Sequence, residues 1–150
     1  MGFRSTRLII DSKLKNLALV GKAVNELCSS VRMDDVEAFQ IELCVVEAVT
    51  NSIKHAYGLK SGHQVEVVFT IGSDELFVNI FDTGTPMDPG LLEKKQAFSS
   101  LFDAGDIAST PEGGRGLAII KEIMDNVTYT SKEGRNCLAM TKKLTSSSQR

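Results

Sequence analysis

Three polar residues, Glu47, Asn51 and His55, recur at intervals of four in a segment with helical character. At 3.6 residues per turn, this spacing places them along one slowly drifting face of a helix. An Asn carbonyl oxygen suits the hard cation Mg²⁺, and a carboxylate one turn away could take a proton from an attacking hydroxyl group. The alternative is an ordinary solvated helix face, which the neighbouring Thr50 and Lys54 favour.

A second candidate is the segment Phe81-Asp-Thr-Gly, which directly follows a strand-like run. The carboxylate of Asp82 could accept a hydrogen bond from an exocyclic amine such as that of adenine. Gly84 beside it would let a planar ring approach the backbone. The alternative is a common Asp-x-Gly turn that only leads the chain out of a strand.

The third candidate is the run Glu-Gly-Gly-Arg-Gly-Leu at 112–117, which leads into a helical pattern. Glycines at the N-terminus of a helix expose backbone N–H groups to an anion, and Arg115 adds a charge with fork geometry suited to phosphate. No Gly-Lys-Ser/Thr follows, so this is not a Walker A loop. A flexible hinge before the helix is the alternative interpretation.

The surrounding periodicity predicts the elements that must position these residues. Spacings of three and four predict helices, the second with a buried stripe of Phe39, Val46, Val49, Ile53 and Tyr57, and alternation of period two predicts strands. In chain order we expect a strand over 3–11, helices over 14–31, 34–57 and 116–124, a hairpin over 64–80, a loop over 83–112, and strands over 127–132 and 136–144.

This order predicts an α+β fold, in which tight turns make the sheet mostly antiparallel. One apolar face of the sheet is covered by helices, giving a two-layer α/β sandwich. A ligand would lie between the helix layer and the sheet, under the loop of 83–112, since a loop this long in a compact domain is usually a functional lid or disordered. The tail 145–150 is expected to be frayed.

The composition indicates one intracellular domain. The chain has 150 residues, 42% of them hydrophobic, and a net charge of −2 with mixed signs, which argues against nucleic-acid binding. No signal-peptide pattern and no membrane-length apolar run occurs, so we expect a cytoplasmic protein without membrane association. The three cysteines fit no zinc motif, and Cys28 and Cys44 are expected in the core.

Taken together, the three segments resemble the N, G1 and G2 boxes of the GHKL ATPases, whose fold is the Bergerat ATP-binding fold. The stretches Glu-Ala-Val-Thr-Asn-Ser-Ile-Lys-His at 47–55, Asp-Thr-Gly-Thr-Pro-Met-Asp-Pro at 82–89 and Gly-Gly-Arg-Gly-Leu-Ala-Ile-Ile-Lys at 113–121 are similar to the branch of RsbW-like anti-sigma factor serine/threonine kinases. The resemblance implies a single histidine-kinase-like ATPase domain over 1–150. Pro86 replaces a second glycine, and Met87 stands where the branch has Phe.

The resemblance also implies residue roles. Glu47 would be the general base on the acceptor hydroxyl, and Asn51 would coordinate Mg²⁺. Asp82, with Gly84 beside it, would bind the adenine amino group. The full nucleotide-binding set implied is Asn51, His55, Asp82, Gly84, Gly114, Arg115, Gly116 and Leu117, in which Gly114, Arg115 and Gly116 hold phosphates and His55 lines the phosphate region.

The function implied is an ATP-dependent protein-serine/threonine kinase that acts as an anti-sigma factor. Its substrate would be an anti-anti-sigma protein of the STAS fold in a partner-switching pathway. Its cofactors would be ATP or ADP and Mg²⁺, its partners would include a sigma factor, and it would form a homodimer. One alternative is a non-catalytic module that senses ATP or ADP and sequesters a partner. Another is a regulator in a partner-switching pathway without a sigma factor.

Overall fold

The computed structural model describes residues 2–31, 33–93 and 112–144. The predicted order of elements is confirmed across these residues. The strands are β1 (Arg4–Asp11), β2 (Gln64–Ile71), β3 (Glu75–Asp82), β4 (Asn126–Lys132) and β5 (Arg135–Lys143), and the helices are α1 (Leu17–Ser29), α2 (Asp35–Asn51), α3 (Gly90–Glu93) and α4 (Glu112–Ile123). The short α3 lies inside the predicted lid. The remainder of that lid, at 94–111, and the tail 145–150 lie outside the described residues.

The five strands form one sheet in the order β1-β2-β3-β5-β4, with every neighbouring pair antiparallel. This confirms the predicted α+β class. Along β2 and β3 buried and partly exposed residues alternate, so one face of the sheet carries the core. The hairpin of β4 and β5 turns at Glu133 and Gly134, whose φ angles of 53° and 78° suit a two-residue turn between twisted strands.

Helix α2 begins with a capped N-terminus, where the Asp34 carboxylate accepts a hydrogen bond of 2.8 Å from the backbone N–H of Glu37. Two residues of its predicted buried stripe do not belong to the core, since Phe39 is 59% exposed and Val46 is only partly buried. Residues spaced three and four apart lie on the same face of a helix. The face of α2 that packs on the core includes the residue before Phe39 and consists of Ala38, Ile41, Cys44, Val45, Ala48 and Val49.

The helix does not continue regularly to Tyr57, as the sequence predicted, but ends in a π-helical turn over Ser52–Ala56. The helical path stops at Gly58, as expected, where φ is +60°. The Tyr57 hydroxyl donates to the carbonyl of Gln64 at 2.6 Å and accepts from the N–H of Thr83 at 2.8 Å. The end of this helix is therefore tied to the start of β2 and to the exit from β3.

Helix α4 begins at Glu112, earlier than the predicted start at Gly116. The glycines at 113–116 therefore lie in its first turns instead of in a loop before it. Glycine is a poor helix former, so propensity alone favoured a loop. Packing outweighs this low propensity, because α4 lies against α2 and buries Leu117 and Ile120. No helix among the described residues is long and apolar enough to cross a membrane.

Candidate functional site

A cavity of about 360 Å³ lies between the C-terminal half of α2 and the sheet. The sequence predicted a ligand between these two layers. The segment that follows β3, the start of α3 and one residue of α4 close its sides. Its lining consists of Ala48, Asn51, Ser52, His55, Ala56, Ile80, Asp82, Thr85, Pro86, Met87, Asp88, Leu91, Leu117, Tyr129 and Leu138.

Asp82 is the buried acidic group of this cavity, with 9% of its surface exposed. Its Oδ2 accepts from the Ser52 hydroxyl at 2.8 Å. Its Oδ1 accepts from the N–H of Gly84 at 3.1 Å and from Nδ2 of Asn136 at 2.7 Å. These donors compensate for the removal of the carboxylate from water and fix its orientation, so that it can act as an acceptor toward a ligand.

Gly84 is required by a close approach of two backbone segments. A Cβ at this position would lie 2.3 Å from the carbonyl oxygen of Ala56. This clash is with the backbone, so no change of side-chain rotamer could remove it. The N–H of the next residue, Thr85, donates to the same carbonyl at 2.8 Å. The chain after β3 is thereby held against the π-helical turn, which places Asp82 beside Ser52.

Glu47, Asn51 and Gly116 meet where α4 crosses α2. A Cβ on Gly116 would lie 2.8 Å from Oε2 of Glu47 and 3.6 Å from Nδ2 of Asn51. Asn51 lines the cavity, while Glu47 borders Asn51 one helical turn earlier. The N-terminal turns of α4 therefore lie next to the acidic-amide pair, and the first backbone N–H groups of a helix can bind an anion.

The environment of Glu47 suits a proton acceptor. Burial raises the pKa of its carboxyl group above the usual value, and the positive charges of Lys54 and Arg115 offset part of that rise. Desolvation disfavours the charged form of a carboxyl group, so its affinity for a proton increases. A carboxylate with a raised pKa is a stronger base toward a hydroxyl group, provided that it is ionised at the working pH.

The donor set at Asn51 was compared with what a magnesium ion needs. Nδ2 of Asn51 is buried and has no hydrogen-bond partner among the described residues. The same residues contain no group of three or more His, Cys, Asp or Glu side chains that could hold a metal. Mg²⁺ typically keeps several waters and binds one or two protein oxygens together with phosphate oxygens. The carbonyl oxygen of Asn51 could supply one such protein oxygen beside the N-terminal turns of α4, whereas its Nδ2 is a donor and is not itself a metal ligand.

The other predicted site residues take different positions. Leu117 is buried and closes the cavity from α4. His55 is exposed and lines both the cavity and a more open groove of about 480 Å³ that Gly84 also lines. Arg115 is half-buried and acts electrostatically on Glu47, and Gly114 lies in the first turn of α4. The roles of these residues in nucleotide binding remain predictions.

Three contributors were not predicted from the sequence. Ser52 and Asn136 hold Asp82, and the Tyr129 hydroxyl accepts from the N–H of Met87 at 2.8 Å. One signal was available for Asn136. It occupies a core-facing position of β5, in alternation with Leu138 and Met140, where a polar residue needs a partner.

Residues 10–142 match the histidine kinase-like ATPase domain family. This chain belongs to that family. Membership in a family of ATPase domains implies that the chain uses a nucleotide, and it confirms the resemblance to GHKL ATPases.

Among individual proteins, this histidine kinase-like ATPase domain is 35% identical over 95 residues to the serine-protein kinase RsbW of Listeria monocytogenes serovar 1/2a. The alignment covers 63% of this chain and 59% of that relative, so the chain spans somewhat more than half of the length of the Listeria protein. The similarity supports assignment to the RsbW-like branch.

Two solved structures share the fold of this domain. The RsbU and RsbW domains of Rv1364c from Mycobacterium tuberculosis superpose with a TM-score of 0.66 at 15% identity, covering 94% of this chain and 32% of that one. The SiaB–SiaC complex from Pseudomonas aeruginosa gives a TM-score of 0.58 at 14% identity, covering 91% and 89%. At these identities the likeness confirms the fold alone.

Proposed function

We propose that this chain is an ATP-dependent protein-serine/threonine kinase that acts as an anti-sigma factor and phosphorylates a STAS-type anti-anti-sigma protein. The observation that carries the proposal is the meeting of Glu47, Asn51 and the glycine-rich start of α4 beside a cavity with Asp82 buried in it. This arrangement offers an acceptor for an adenine amine and, separately, an anion site next to a base.

The nucleotide would bind with its base toward Asp82 and its phosphates toward the N-terminal turns of α4. The backbone N–H group of Gly114, together with the guanidinium of Arg115, would supply a donor and positive charge for the phosphates, and Gly116 would allow their close approach. His55 would line the same region. Asn51 would hold a magnesium ion through its carbonyl oxygen, and the bound ion would neutralise charge on the phosphates.

Glu47 would take the proton from the serine or threonine hydroxyl of the acceptor protein. Phosphoryl transfer needs mainly positioning and charge neutralisation, so the protein must hold the acceptor hydroxyl and the nucleotide in line. Gly116 contributes by leaving room for the Glu47 carboxylate next to the phosphate-binding turns.

The partners follow from the relatives. One relative is named as a serine-protein kinase, and one fold neighbour is a complex of two proteins. A STAS-domain acceptor, a sigma factor held inactive and a homodimer are the corresponding proposals here. The reaction consumes ATP, so we place it in the cytoplasm, with residues 1–150 acting as one domain.

Calorimetry tests the nucleotide site. ATP and ADP are titrated into the protein with and without Mg²⁺, in parallel with Asn51→Ala and with Asn25→Ala as a matched control. Asn25 is also a helical Asn, but its amide donates to Glu42 away from the cavity. Binding that depends on Mg²⁺ and is lost only in Asn51→Ala supports the proposal. If the wild-type protein binds neither nucleotide, the proposal is wrong.

A second experiment separates the kinase from a non-catalytic sensor of ATP or ADP. A STAS protein that co-purifies from the native host is incubated with the wild-type protein and with Glu47→Gln, using ATP labelled in the γ-phosphate. A kinase transfers label only when Glu47 is intact, whereas a sensor binds the partner in a nucleotide-dependent way without transferring label. Whether a sigma factor co-purifies distinguishes the third alternative.

A further inference from the structure

Asn136 is a polar residue buried in the apolar layer of the sheet, with 1% of its surface exposed. It lies near the start of β5 and opposite Asp82 in the register of the two strands. Its neighbours on the same face of β5 are Leu138 and Met140. A buried amide is costly unless its hydrogen bonds are made, so its partners indicate what it does.

Both ends of the Asn136 amide make hydrogen bonds. Nδ2 donates to Oδ1 of Asp82 at 2.7 Å and to the carbonyl oxygen of Gly84 at 3.0 Å. The amide oxygen accepts from the Ser131 hydroxyl at 2.6 Å. The two acceptors on one side and the hydroxyl donor on the other fix which end of the amide faces Asp82.

The carboxylate of Asp82 has about four lone-pair sites. Both sites on Oδ1 are taken, by Asn136 and by the N–H of Gly84, while among the described residues Oδ2 accepts from Ser52 alone. One lone pair of Oδ2 remains for a ligand. Because Asp82 and Ser52 both line the cavity, that ligand is one bound in the cavity.

We propose that Asn136, oriented by Ser131, is a positioning residue that fixes the Asp82 carboxylate so that its remaining Oδ2 lone pair selects a purine bearing an exocyclic amine. This inference rests on the proposed function, since it assumes that the purine of a nucleotide occupies the cavity. It adds a determinant of base specificity on β5 and β4, on the side of Asp82 opposite α2. Asn136 acts through Asp82 and does not touch the base.

The competing explanation is that Asn136 is purely structural and only joins β5 to the exit of β3. The two explanations predict different ratios between the affinities for two nucleotides. A structural defect weakens every nucleotide to the same extent, whereas a misplaced Asp82 weakens only nucleotides that offer the 6-amino group. The probes are therefore ATP and purine riboside 5′-triphosphate, which lacks that amino group.

Affinities of both probes are measured by calorimetry for the wild type, Asn136→Leu, Ser131→Ala and Asn25→Leu. The last is the matched control, because Asn25 also donates its amide to a carboxylate, at 2.9 Å, but away from the cavity. We expect the wild type to prefer ATP by roughly 10- to 100-fold, the range for a hydrogen bond to a charged group. In Asn136→Leu this preference should fall to about twofold or less, with the affinity for the purine analogue retained.

Ser131→Ala keeps the inference testable if Asn136→Leu does not fold, because Ser131 is exposed and its loss leaves the strand intact. The preference for ATP should fall in the same direction by a smaller factor, and Asn25→Leu should leave it unchanged. The inference is overturned if both nucleotides weaken equally, or if the preference survives in both variants. A wild-type protein that binds neither probe overturns the proposed function, and this inference with it.

Discussion

The carboxylate of Glu47 rests against the backbone of Gly116, so closely that a Cβ on the glycine would lie 2.8 Å from Oε2. Two helices cross at this point, and the crossing brings the candidate base next to the N-terminal turns of α4, the proposed phosphate site. A glycine elsewhere in a helix lowers its stability. Here it is needed because any side chain would displace the carboxylate.

The variant Gly116→Ala tests this crossing. Alanine raises helix propensity, so the fold should be retained, but the Glu47 carboxylate must move away from its position next to α4. We expect phosphotransfer to fall by at least about tenfold, since a misplacement of about 1 Å can cost that much or more. Single-turnover rates with labelled ATP measure the effect.

Gly21→Ala is the matched control for this variant. It is also helical, and its Cβ would approach a Glu42 carboxylate oxygen at 3.0 Å, but away from the cavity. If Gly21→Ala reduces phosphotransfer as much as Gly116→Ala does, the special role of the α2–α4 crossing is refuted.

A second variant, Gly84→Ala, tests the backbone contact that places Asp82. The new Cβ would collide with the carbonyl of Ala56 at 2.3 Å, and neither backbone can yield without breaking the hydrogen bond from Thr85. We expect a loss of about 1–3 kcal/mol in the free energy of unfolding, as for other overpacked sites. Gly2→Ala, which meets no atom within 4 Å, is the control in denaturant titrations. Equal stability of the two variants would contradict the contact.

The raised pKa of Glu47 predicts a pH-dependent gain in stability for Glu47→Gln. A carboxyl group whose pKa is higher in the folded than in the unfolded state destabilises the fold once it is ionised. At neutral pH Glu47→Gln should therefore unfold at a higher Tm than the wild type. The difference should shrink as the pH falls through the folded pKa of Glu47 and vanish below its unfolded pKa.

Thermal unfolding of both proteins from pH 4 to 8, roughly the span that brackets a raised carboxyl pKa, measures this difference. Glu26→Gln is the control, because Glu26 is exposed on α1. A gain for Glu47→Gln that grows toward low pH would show that the sign of the shift is wrong.

Nδ2 of Asn51 has no hydrogen-bond partner among the residues that the structure describes, so we predict that Asn51 is not needed for stability. A buried donor without an acceptor costs about 1–3 kcal/mol, so removing it should not destabilise the protein. We expect Asn51→Leu without nucleotide to have a Tm equal to or above that of the wild type, while it loses the stabilisation that Mg-ATP confers. A clearly lower Tm of the variant without nucleotide would mean that the amide has a structural partner.

The buried cysteines predict a pattern of chemical reactivity. Burial raises the pKa of both Cys28 and Cys44 to about 12, with Glu42 adding to the effect at Cys28. A thiol reacts as the thiolate, so neither residue should be alkylated in the native protein near pH 8, while both should react in denaturant. Cys137 is less buried and should react first. Mass spectrometry of the labelled peptides reads all three, and labelling of Cys28 as fast as Cys137 would contradict the core position.

Much of the architecture follows from local patterns in the sequence. Alternation over 64–71 and the turn at Glu133 and Gly134 predicted strands where they occur, because a half-buried strand needs that pattern. The side of α2 that faces the core was only partly predictable. Phe39 and Ala38 both belong to stripes of suitable spacing, and only the neighbouring elements decide which stripe is buried.

The candidate site was also predictable only in part. Residue type and spacing predicted Glu47, Asn51 and Asp82 as site residues, and the structure brings Glu47 and Asn51 together beside the cavity that Asp82 lines. The supports of Asp82 were not predicted, since Ser52 and Asn136 are 30 and 54 residues from it in the chain. The early start of α4 was also hidden, because its stabilisation comes from packing on α2 and not from its glycine-rich sequence.

The π-helical turn over Ser52–Ala56 holds one more residue than a regular helical turn would. A chain shortened by one residue here could continue as an ordinary α-helix, with better backbone geometry. The residues after the deletion would then be rotated by about 100° around the helix axis, and the Tyr57 hydroxyl would lose Gln64 and Thr83 together. The irregular turn thus acts as a one-residue spacer that sets how the residues after α2 are rotated relative to β3, the strand of Asp82. We therefore expect this segment to tolerate substitutions far better than deletions.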